Sequence, residues 1–288
     1  MGESLALAAA FGWVGSSVFL ERASKETGTL AVNLIRLVIA MLFLGVITYV
    51  KRGLVLPLDV TKESFKFLSI SGLFGLFLGD FFLYKSYIKI GPRITLLVMT
   101  FSPIAVSILS FFILGEKIEE FKVLGMLLTI IGIAIVILKK KNDKEFSKVG
   151  FIYDLLAMLW EILGIVFTRL GSIDYDSFAT IQVRTIPAIL AFIVYISLKK
   201  EWSNIKEGIL NKKGMIYIVL GTIVATLGVT ALVEAMKYAN VGIVSTLAAT
   251  SPILIIPISI IFFKEKVSIL EGIGALISFV GITIFFIL

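Results

Sequence analysis

Among the ionisable side chains in the long apolar stretches of this sequence, five stand out. They are Arg36, Asp80, Glu161, Arg184 and Glu234. A charge in hydrocarbon is costly, so such residues usually face a cavity or a partner. The chain has no histidine and no cysteine, which excludes thiolate nucleophiles, Cys/His metal sites and histidine proton relays. Proton chemistry therefore falls to carboxylates, lysines and tyrosines, and we expect no metal and no cofactor.

Asp80 begins a face that carries one carboxyl and two phenols. Asp80, Tyr84 and Tyr87 are spaced i, i+4 and i+7, which places them on one side of a helix. This pattern predicts a cavity wall with a protonatable group. It is equally compatible with an ion pair between Asp80 and a buried arginine or Lys85.

Glu161 lies near the middle of an apolar run, next to Trp160. Both residues are candidates for the cavity. Glu161 and Asp80 are also candidate proton carriers, because burial disfavours the charged form of a carboxyl. The alternative for Glu161 is a structural ion pair with Arg36 or Arg184. These two arginines stand at matching positions near helix starts, where snorkelling to the interface or structural pairing is the favoured interpretation.

A polar stripe leads to Glu234. Thr222, Thr226, Thr230 and Glu234 follow one another at i+4 spacing, which predicts that the stripe faces the cavity or a neighbouring helix. Alternatively, each threonine hydroxyl bonds the carbonyl four residues earlier, and the hydroxyls then have no further role. The remaining candidates for lining the cavity are Trp13, Asn33 and Gln182.

Short motifs recur at a constant offset in the second part of the chain. Ser-Pro-Ile at 102–104 recurs at 251–253, and 251 minus 102 gives 149. In a chain of 288 residues, this offset indicates two copies of one half-length unit. The other recurrences at this offset are Glu-Lys at 116–117 and 265–266, and glycine at 125 and 132 and again at 274 and 281.

We interpret these repeated motifs structurally. Pro103 and Pro252 are expected to kink matched helices, because proline removes a backbone hydrogen bond. The repeated glycines are expected to allow close packing, either between the halves or between protomers. The Glu-Lys pairs are expected to anchor helix ends at the membrane interface.

The composition requires a lipid environment. The sequence is 58% hydrophobic with a mean hydropathy of +1.04, which leaves too little polar surface for a water-soluble fold. Its apolar runs approach the roughly 20 residues that span a bilayer and lack the alternation of a barrel strand. We therefore predict an all-α integral membrane protein with ten transmembrane helices. The runs cover 4–20, 30–50, 67–87, 94–114, 121–138, 150–170, 178–198, 215–236, 241–263 and 270–288.

A polar, lysine-rich stretch at 139–148 divides the chain into two predicted five-helix repeats, 1–138 and 149–288. Because five is an odd number, the second repeat enters the membrane from the opposite side to the first. Two inverted repeats around a central cavity favour alternating access. The N-terminus has neither a basic region nor a cleavage site, so we expect the first helix to be retained.

The net charge of +7 lies mainly in loops, which is typical of contact with anionic lipid headgroups and not of nucleic-acid binding. Loops after odd-numbered helices hold 16 basic residues, against 8 after even-numbered helices. This bias predicts that both termini lie outside. We expect a multi-pass protein of a prokaryotic cytoplasmic membrane, with a small molecule and lipid as partners and a monomer as the favoured state.

The order of these landmarks resembles the ten-helix, EamA-type branch of the drug/metabolite transporter superfamily, over essentially the whole chain. The landmarks are Trp13 followed by small residues, Arg36 and Arg184 near the starts of second helices, Tyr/Ala-rich ends of third helices, and the repeated Ser-Pro, Glu-Lys and glycine motifs. The resemblance implies a secondary transporter with a central cavity and cytoplasmic termini, which conflicts with the count of basic residues. Glu161 and Glu234 depart from the family pattern and are expected to encode substrate choice.

Together these features predict a secondary active transporter, an exporter or exchanger, of a small polar or amphipathic metabolite, with proton coupling as an option. Paired arginines and carboxylates suit a zwitterion such as an amino acid, yet the same groups could serve a sugar, a nucleoside or an organic cation. A membrane-embedded enzyme is the alternative from a different class, although short loops and the missing His and Cys argue against it. A channel is the third alternative, and it lacks a charge ring or a filter-like loop.

Overall fold

The computed structural model describes residues 1–99, 101–116, 119–138, 147–251, 253–254 and 269–287. These residues are mainly helical, and no strand occurs among them. The helices of the first half are α1 (Gly2–Thr27), α2 (Thr29–Arg52), α3 (Lys62–Ser71), α4 (Asp80–Met99), α5 (Ser102–Leu114) and α6 (Glu120–Leu138). Those of the second half are α7 (Lys148–Ser172), α8 (Ser177–Lys199), α9 (Trp202–Leu210), α10 (Lys212–Ala235), α11 (Val241–Ala248) and α12 (Ile269–Ile287).

Six helical stretches of the described chain are long and apolar enough to cross a membrane. They are α1, α2, the stretch Lys62–Gly91, α7, α8 and α10. Shorter apolar helices occur at Ser102–Leu114, Val123–Gly132 and Gly272–Gly281. An all-helical membrane fold is thus confirmed. The count of ten spans stays a prediction. Residues 252 and 255–263 of the expected ninth span, 241–263, and residues 139–146 of the linker, 139–148, lie outside the described residues.

Large apolar side chains cover the outer surface of several helices. Leu42 on α2, Phe112 on α5 and Phe279 on α12 are all exposed. Soluble proteins rarely expose so many large apolar side chains, so these surfaces are suited to lipid.

Helix starts in the second half are set by capping side chains. Ser147, Asp176 and Asn211 each accept a hydrogen bond from the backbone N–H three residues later, at 3.2, 2.9 and 2.9 Å. Such caps satisfy N–H groups that a helix leaves unpaired at its start. They define where α7, α8 and α10 begin, and thereby how deep each later residue lies.

Two glycines allow tight turns between neighbouring helices. Gly28 alone separates α1 from α2 and has a φ of 81°. Gly91 interrupts α4 with a φ of 77°. Side chains disfavour such positive φ values, and glycine does not. Each turn therefore reverses the chain within a few residues, which places consecutive helices side by side.

A π-helical segment, Gly72–Gly79, continues α3 into α4. π-helical turns are rare and disturb the normal side-chain register of a helix. A Cβ atom on Gly72 would lie 2.0 Å from the backbone oxygen of Arg184. The absence of a side chain there lets α8 cross the π-helical segment at close range, which brings Arg184 towards the centre of the bundle.

The two halves of the chain pack around each other. Helix α1 packs along α10, while α3, the π-helical segment and α4 pack along α7. In addition, α2 packs against α8, α5 against α11, and α6 against α12. Exchange of the two halves turns the pairing of α1 with α10 into the pairing of α7 with α3, the π-helical segment and α4. The other three pairs stay the same. The most extensive helix packing therefore joins one half to the other.

The repeated glycines lie where α6 and α12 cross. A Cβ atom on Gly132 would lie 2.4 Å from the backbone oxygen of Gly274, and one on Gly281 would lie 2.7 Å from the backbone oxygen of Gly125. The expected close packing is thus confirmed, and it joins the two halves.

Two buried apolar clusters lie at different depths along α1. Ala6 and Ala9 belong to a cluster with residues of α10 and α11, whereas Leu20 and Ala23 belong to a cluster with residues of α2 and α8. Ser16, between these positions on α1, lines a cavity. The apolar clusters therefore leave polar residues at intermediate depth, where the candidate site lies.

Candidate functional site

A cavity of about 150 Å³ lies between the two halves. The first half contributes α1, α2, the π-helical segment, α4 and α5, and the second contributes α7, α8, α10 and the chain after α11. Its charged and phenolic lining residues are Arg36, Asp80, Tyr84, Tyr87, Glu161 and Arg184. The structure thus brings together six of the side chains that the sequence analysis selected.

Arg36 and Asp80 form an ion pair at the cavity wall. The Nη2 atom of Arg36 donates a hydrogen bond to Oδ2 of Asp80, and the guanidinium lies 5.4 Å from the centre of the Tyr84 ring. Arg36 is only 7% exposed, which contradicts snorkelling to the interface. Of the alternatives for Asp80, pairing with a buried arginine is the one that the structure shows, together with a place in the cavity wall.

Arg184 and Glu161 face the same cavity. No ion pair within 4 Å involves either residue in the described part of the chain. Arg184 is also 7% exposed, so snorkelling is wrong for it too. Its Nη2 atom would lie 3.1 Å from a Cβ atom on Gly75, so the glycine leaves room for the guanidinium. The cavity therefore contains one guanidinium group and one carboxyl group that form no ion pair within the described part of the chain.

The face predicted from Asp80, Tyr84 and Tyr87 is present, since all three residues line the cavity. The two phenol rings lie 5.9 Å apart, centre to centre. Trp13 lines the cavity from α1. These rings supply apolar surface with polar edges, which is typical of small-molecule sites.

Hydroxyl groups complete the cavity, and sequence reasoning did not select them. Ser102 and Ser251, the serines of the repeated Ser-Pro motif, both line the cavity, as do Ser16, Ser17 and Thr168. The repeated Ser-Pro motif could have indicated these two serines, but the sequence analysis assigned a role only to its prolines. Pro103 lies in the first turn of α5, where proline causes no kink, and Pro252 lies outside the described residues.

Three predicted cavity residues lie elsewhere. Trp160 packs against Phe74, with ring centres 5.3 Å apart. Asn33 is buried, and its Nδ2 donates to a backbone carbonyl one turn earlier at 2.9 Å. Gln182 is buried, and its Nε2 donates to the backbone oxygen of Val55 at 2.8 Å. None of the three lines the cavity. Each is held instead by a neighbouring aromatic ring or a backbone carbonyl.

The threonine stripe also lies away from the cavity lining. Thr222 and Thr230 donate hydrogen bonds to carbonyl oxygens four residues earlier, at 2.6 and 2.7 Å. This is the second of the two interpretations of the stripe, in which the hydroxyls have no further role. Thr226 is buried and does not line the cavity. Glu234 lies at the end of α10 and pairs with Lys237 at 3.0 Å. Its carboxylate is thus held at the helix end, outside the cavity.

Glu116 joins the two halves at one end of the bundle. Its Oε1 accepts a bond from Arg169 of α7 at 3.3 Å, and its Oε2 accepts a bond from the backbone N–H of Val241 at 2.9 Å. The expectation of a purely interfacial anchor is therefore wrong for Glu116. Lys117 and the second Glu-Lys pair, 265–266, lie outside the described residues.

The fold and the cavity define a multi-pass helical membrane protein with a polar site between its halves. The profile of the EamA-like transporter family matches residues 1–138 and 148–287. The chain belongs to this family, which is part of the drug/metabolite transporter superfamily. The resemblance noted in the sequence is confirmed, and family membership points to a transporter and not to an enzyme.

Individual relatives agree with this assignment. The chain is 26% identical over 199 residues to a protein of Bacillus subtilis (strain 168) named uncharacterized transporter YetK. The match covers 68% of this chain and 59% of that protein. A protein of known crystal structure shares the fold, with a TM-score of 0.73, 16% identity, and coverage of 98% of this chain and 94% of the other.

Proposed function

We propose that this protein is a secondary transporter, an exporter or exchanger, of a small zwitterionic metabolite of the amino-acid class. The proposal rests on Arg184 and Glu161. Both residues face the cavity, and neither has an ion-pair partner among the described residues. Arg36 and Asp80 already neutralise each other. A substrate with one carboxylate and one ammonium group would therefore neutralise the remaining charges, whereas a singly charged substrate would leave one of them unpaired.

The size of the cavity supports a small substrate. Its volume of about 150 Å³ is below the roughly 300–1,000 Å³ that is typical of sites for drug-sized ligands. Phenol and indole rings would contact the apolar part of the substrate. The hydroxyl groups of Ser102 and Ser251 add hydrogen-bonding capacity from both halves.

Alternating access follows from the symmetric helix pairing. Because the principal helix pairs between the halves map onto one another when the halves are exchanged, a second arrangement with the roles of the halves reversed would keep the same pairs. This supports two inverted five-helix repeats and ten spans. We place the protein in a bacterial cytoplasmic membrane, in line with its Bacillus relative.

Glu161 provides a route to proton coupling. An ionised Glu161 attracts the ammonium group of the substrate, whereas a protonated Glu161 does not. Proton and substrate therefore compete for one carboxyl group. A proton that enters from the side to which the cavity is open releases the substrate to that side, and the proton leaves when the cavity opens to the opposite side, which exchanges proton for substrate.

The test is substrate counterflow in proteoliposomes, with labelled proteinogenic amino acids as probes. We expect saturable uptake of at least one of them. Arg184→Gln should raise the half-saturation concentration of the transported amino acid by at least about tenfold, because a charge-assisted hydrogen bond to a carboxylate is worth about 1.5–3 kcal/mol. The matched control Arg22→Gln changes an exposed arginine and should leave uptake unchanged.

Other outcomes distinguish the alternatives. Flux that does not saturate would indicate a channel, and conversion of the probe without movement would indicate an enzyme. A thermal-shift screen against a broader metabolite set covers sugars, nucleosides and organic cations, since a ligand of the folded state raises the apparent melting temperature. If only one of those classes stabilises the protein, the zwitterion assignment is wrong.

A further inference from the structure

Two walls of the cavity occupy matching positions in the two halves of the chain. The wall from the first half consists of Leu76, Asp80, Leu83, Tyr84 and Tyr87. The wall from the second half consists of Ala225, Val229, Leu232, Val233 and Met236. Each residue of the second wall lies 149 positions after its counterpart in the first, as 229 minus 80 shows. The two walls therefore present equivalent helix faces to the cavity, and their side chains can be compared position by position.

The two walls differ in chemistry. A carboxyl group and two phenols on the first wall, which we call the polar wall, correspond to Val229, Val233 and Met236 on the second. The second wall, which we call the apolar wall, has no nitrogen or oxygen atom in its side chains. A polar group placed against it would lose hydrogen bonds to water without replacement. The apolar wall is therefore suited to the hydrocarbon part of a ligand.

The two groups that we propose to bind the zwitterion lie beside the polar wall. A Cβ atom on Gly75 would lie 3.1 Å from Nη2 of Arg184, and one on Gly79 would lie 3.7 Å from the backbone nitrogen of Glu161. Both glycines belong to the π-helical segment that leads into the polar wall. The charged end of the substrate is therefore held on this side of the cavity.

Helix α1 lies beside the apolar wall. A Cβ atom on Gly12 would lie 2.7 Å from the Cα atom of Gly228 on α10. Ser16 and Ser17 of α1 line the cavity, but their hydroxyl groups donate hydrogen bonds to carbonyl oxygens of their own helix, at 3.2 and 2.9 Å. The ring of Trp13 adds further apolar surface. This side of the cavity thus offers mainly hydrocarbon to a ligand.

The volume of the cavity limits the length of the hydrocarbon part. The cavity measures about 150 Å³, which is roughly the size that holds one benzene molecule. The ammonium group, the α-carbon and the carboxylate of an amino acid take up most of that volume. The space that is left accommodates a side chain of only a few carbon atoms.

We propose that the apolar wall selects the side chain of the substrate, and that the substrate is an α-amino acid with a small aliphatic side chain, such as alanine or valine. Its carboxylate and ammonium groups bind Arg184 and Glu161, and its side chain packs on Val229, Val233 and Met236. Polar and charged side chains are disfavoured by desolvation, and aromatic ones by size. The inference rests on the proposed transport function, because it names the substrate of that site.

The first test compares side chains in the counterflow assay. Proteoliposomes are offered labelled alanine, valine, threonine, aspartate, lysine and phenylalanine. The wild type should take up alanine and valine, and it should prefer valine to threonine by at least about tenfold, since an apolar pocket disfavours an added hydroxyl group by this order. Uptake of threonine, aspartate or lysine equal to that of valine would overturn the inference.

The second test changes the polarity of the apolar wall without changing its shape. Val229→Thr should reduce the preference for valine over threonine by at least about fivefold. The matched control Val46→Thr makes the same change on the outer surface of α2, where Val46 is 66% exposed, and should keep the wild-type ratio. The ratio is measured within one variant, so partial loss of folded protein does not alter it. An unchanged ratio in Val229→Thr would contradict the proposed position of the side chain.

The third test enlarges the space at the apolar wall. Met236→Ala should raise uptake of leucine and phenylalanine relative to alanine by at least about fivefold, whereas Leu227→Ala, on the exposed face of α10, should not. No gain in Met236→Ala would show that this wall does not limit the side chain, and the inference would fail. If the wild type takes up no amino acid of the panel, the proposed function is wrong and the inference falls with it. If uptake depends on Arg184 but not on the side chain, only the inference is wrong.

Discussion

Arg36 and Asp80 neutralise each other inside the bundle, whereas Arg184 and Glu161 face the same cavity without an ion-pair partner in the described chain. The equivalent arginines of the two halves therefore have different roles. One is held by a carboxylate of its own half, and the other is available to a ligand. This difference between the halves is the basis of the zwitterionic substrate that we propose.

Removal of Asp80 should destabilise the protein strongly. Asp80→Asn leaves the buried guanidinium of Arg36 without a counter-ion, and loss of one partner of a buried pair costs about 3–5 kcal/mol. The double variant Arg36→Gln with Asp80→Asn should recover a large part of that loss. Thermal unfolding in detergent measures both. If the double variant loses as much as the sum of the single variants, the two side chains do not form a pair.

The cavity residues show which part of a site can be predicted from sequence. Charges in apolar runs, such as Arg184 and Glu161, are rare enough to indicate the cavity directly. Glu234 carries the same signal, but it lies at a helix end, and the depth of a residue depends on where the caps begin each helix. Asp154 lies inside the predicted sixth span and carried the same signal, but it was not selected.

At the scale of elements, Gly72 determines how closely α8 approaches the π-helical segment. The length of the apolar run predicted one membrane helix over 67–87, and no pattern of residue types marks the start of a π-helical turn. The glycines at both ends of the segment are visible in the sequence. However, Gly72 contacts α8 and Gly79 contacts α7, and both of these helices lie far away in sequence. Helix existence was therefore predictable, whereas the geometry of this crossing was not.

Gly72→Ala should displace Arg184 and reduce both stability and substrate affinity. The new Cβ atom would lie 2.0 Å from the backbone oxygen of Arg184, so α8 must move, and overpacking of this kind costs about 1–3 kcal/mol. Gly272→Ala is the matched control, because a Cβ atom there has no neighbour within 4 Å. Melting temperature and counterflow check the two effects. Equal behaviour of the two variants would show that α8 does not depend on Gly72.

At the scale of the whole molecule, each end of the bundle is tied by contacts between the halves. At one end, Tyr175 donates a hydrogen bond to Asp59 at 2.9 Å. At the other end, Lys213 pairs with Glu26 at 2.6 Å. Exchange of the halves converts one contact into the other. Each contact joins the end of the first helix of one half, α7 or α1, to the start of the third predicted span of the other half, at α3 or α10. Alternating access would require them to open in turn.

The tie at Tyr175 depends on a protonated phenol. Burial, together with the hydrogen bond to Asp59, raises the pKa of Tyr175 to about 12. The phenol therefore keeps its proton at neutral pH. The contribution of this contact is present below the ordinary tyrosine pKa of about 10 and is lost as the pH rises towards 12. Physiological changes of pH should thus leave this end tied.

Weakening each tie should open the bundle at one end only. The chain has no cysteine, so a single Ser102→Cys substitution provides a label site in the cavity. Tyr175→Phe should increase labelling by a membrane-impermeant thiol reagent from one face, and Glu26→Gln should increase it from the opposite face. Exposed contacts are worth about 0.2–1 kcal/mol, so each increase should be about 1.4- to fivefold. Glu63→Gln, at an exposed position outside both ties, is the control. If both variants increase labelling from the same face, the two ties are not equivalent gates, and the symmetric mechanism fails.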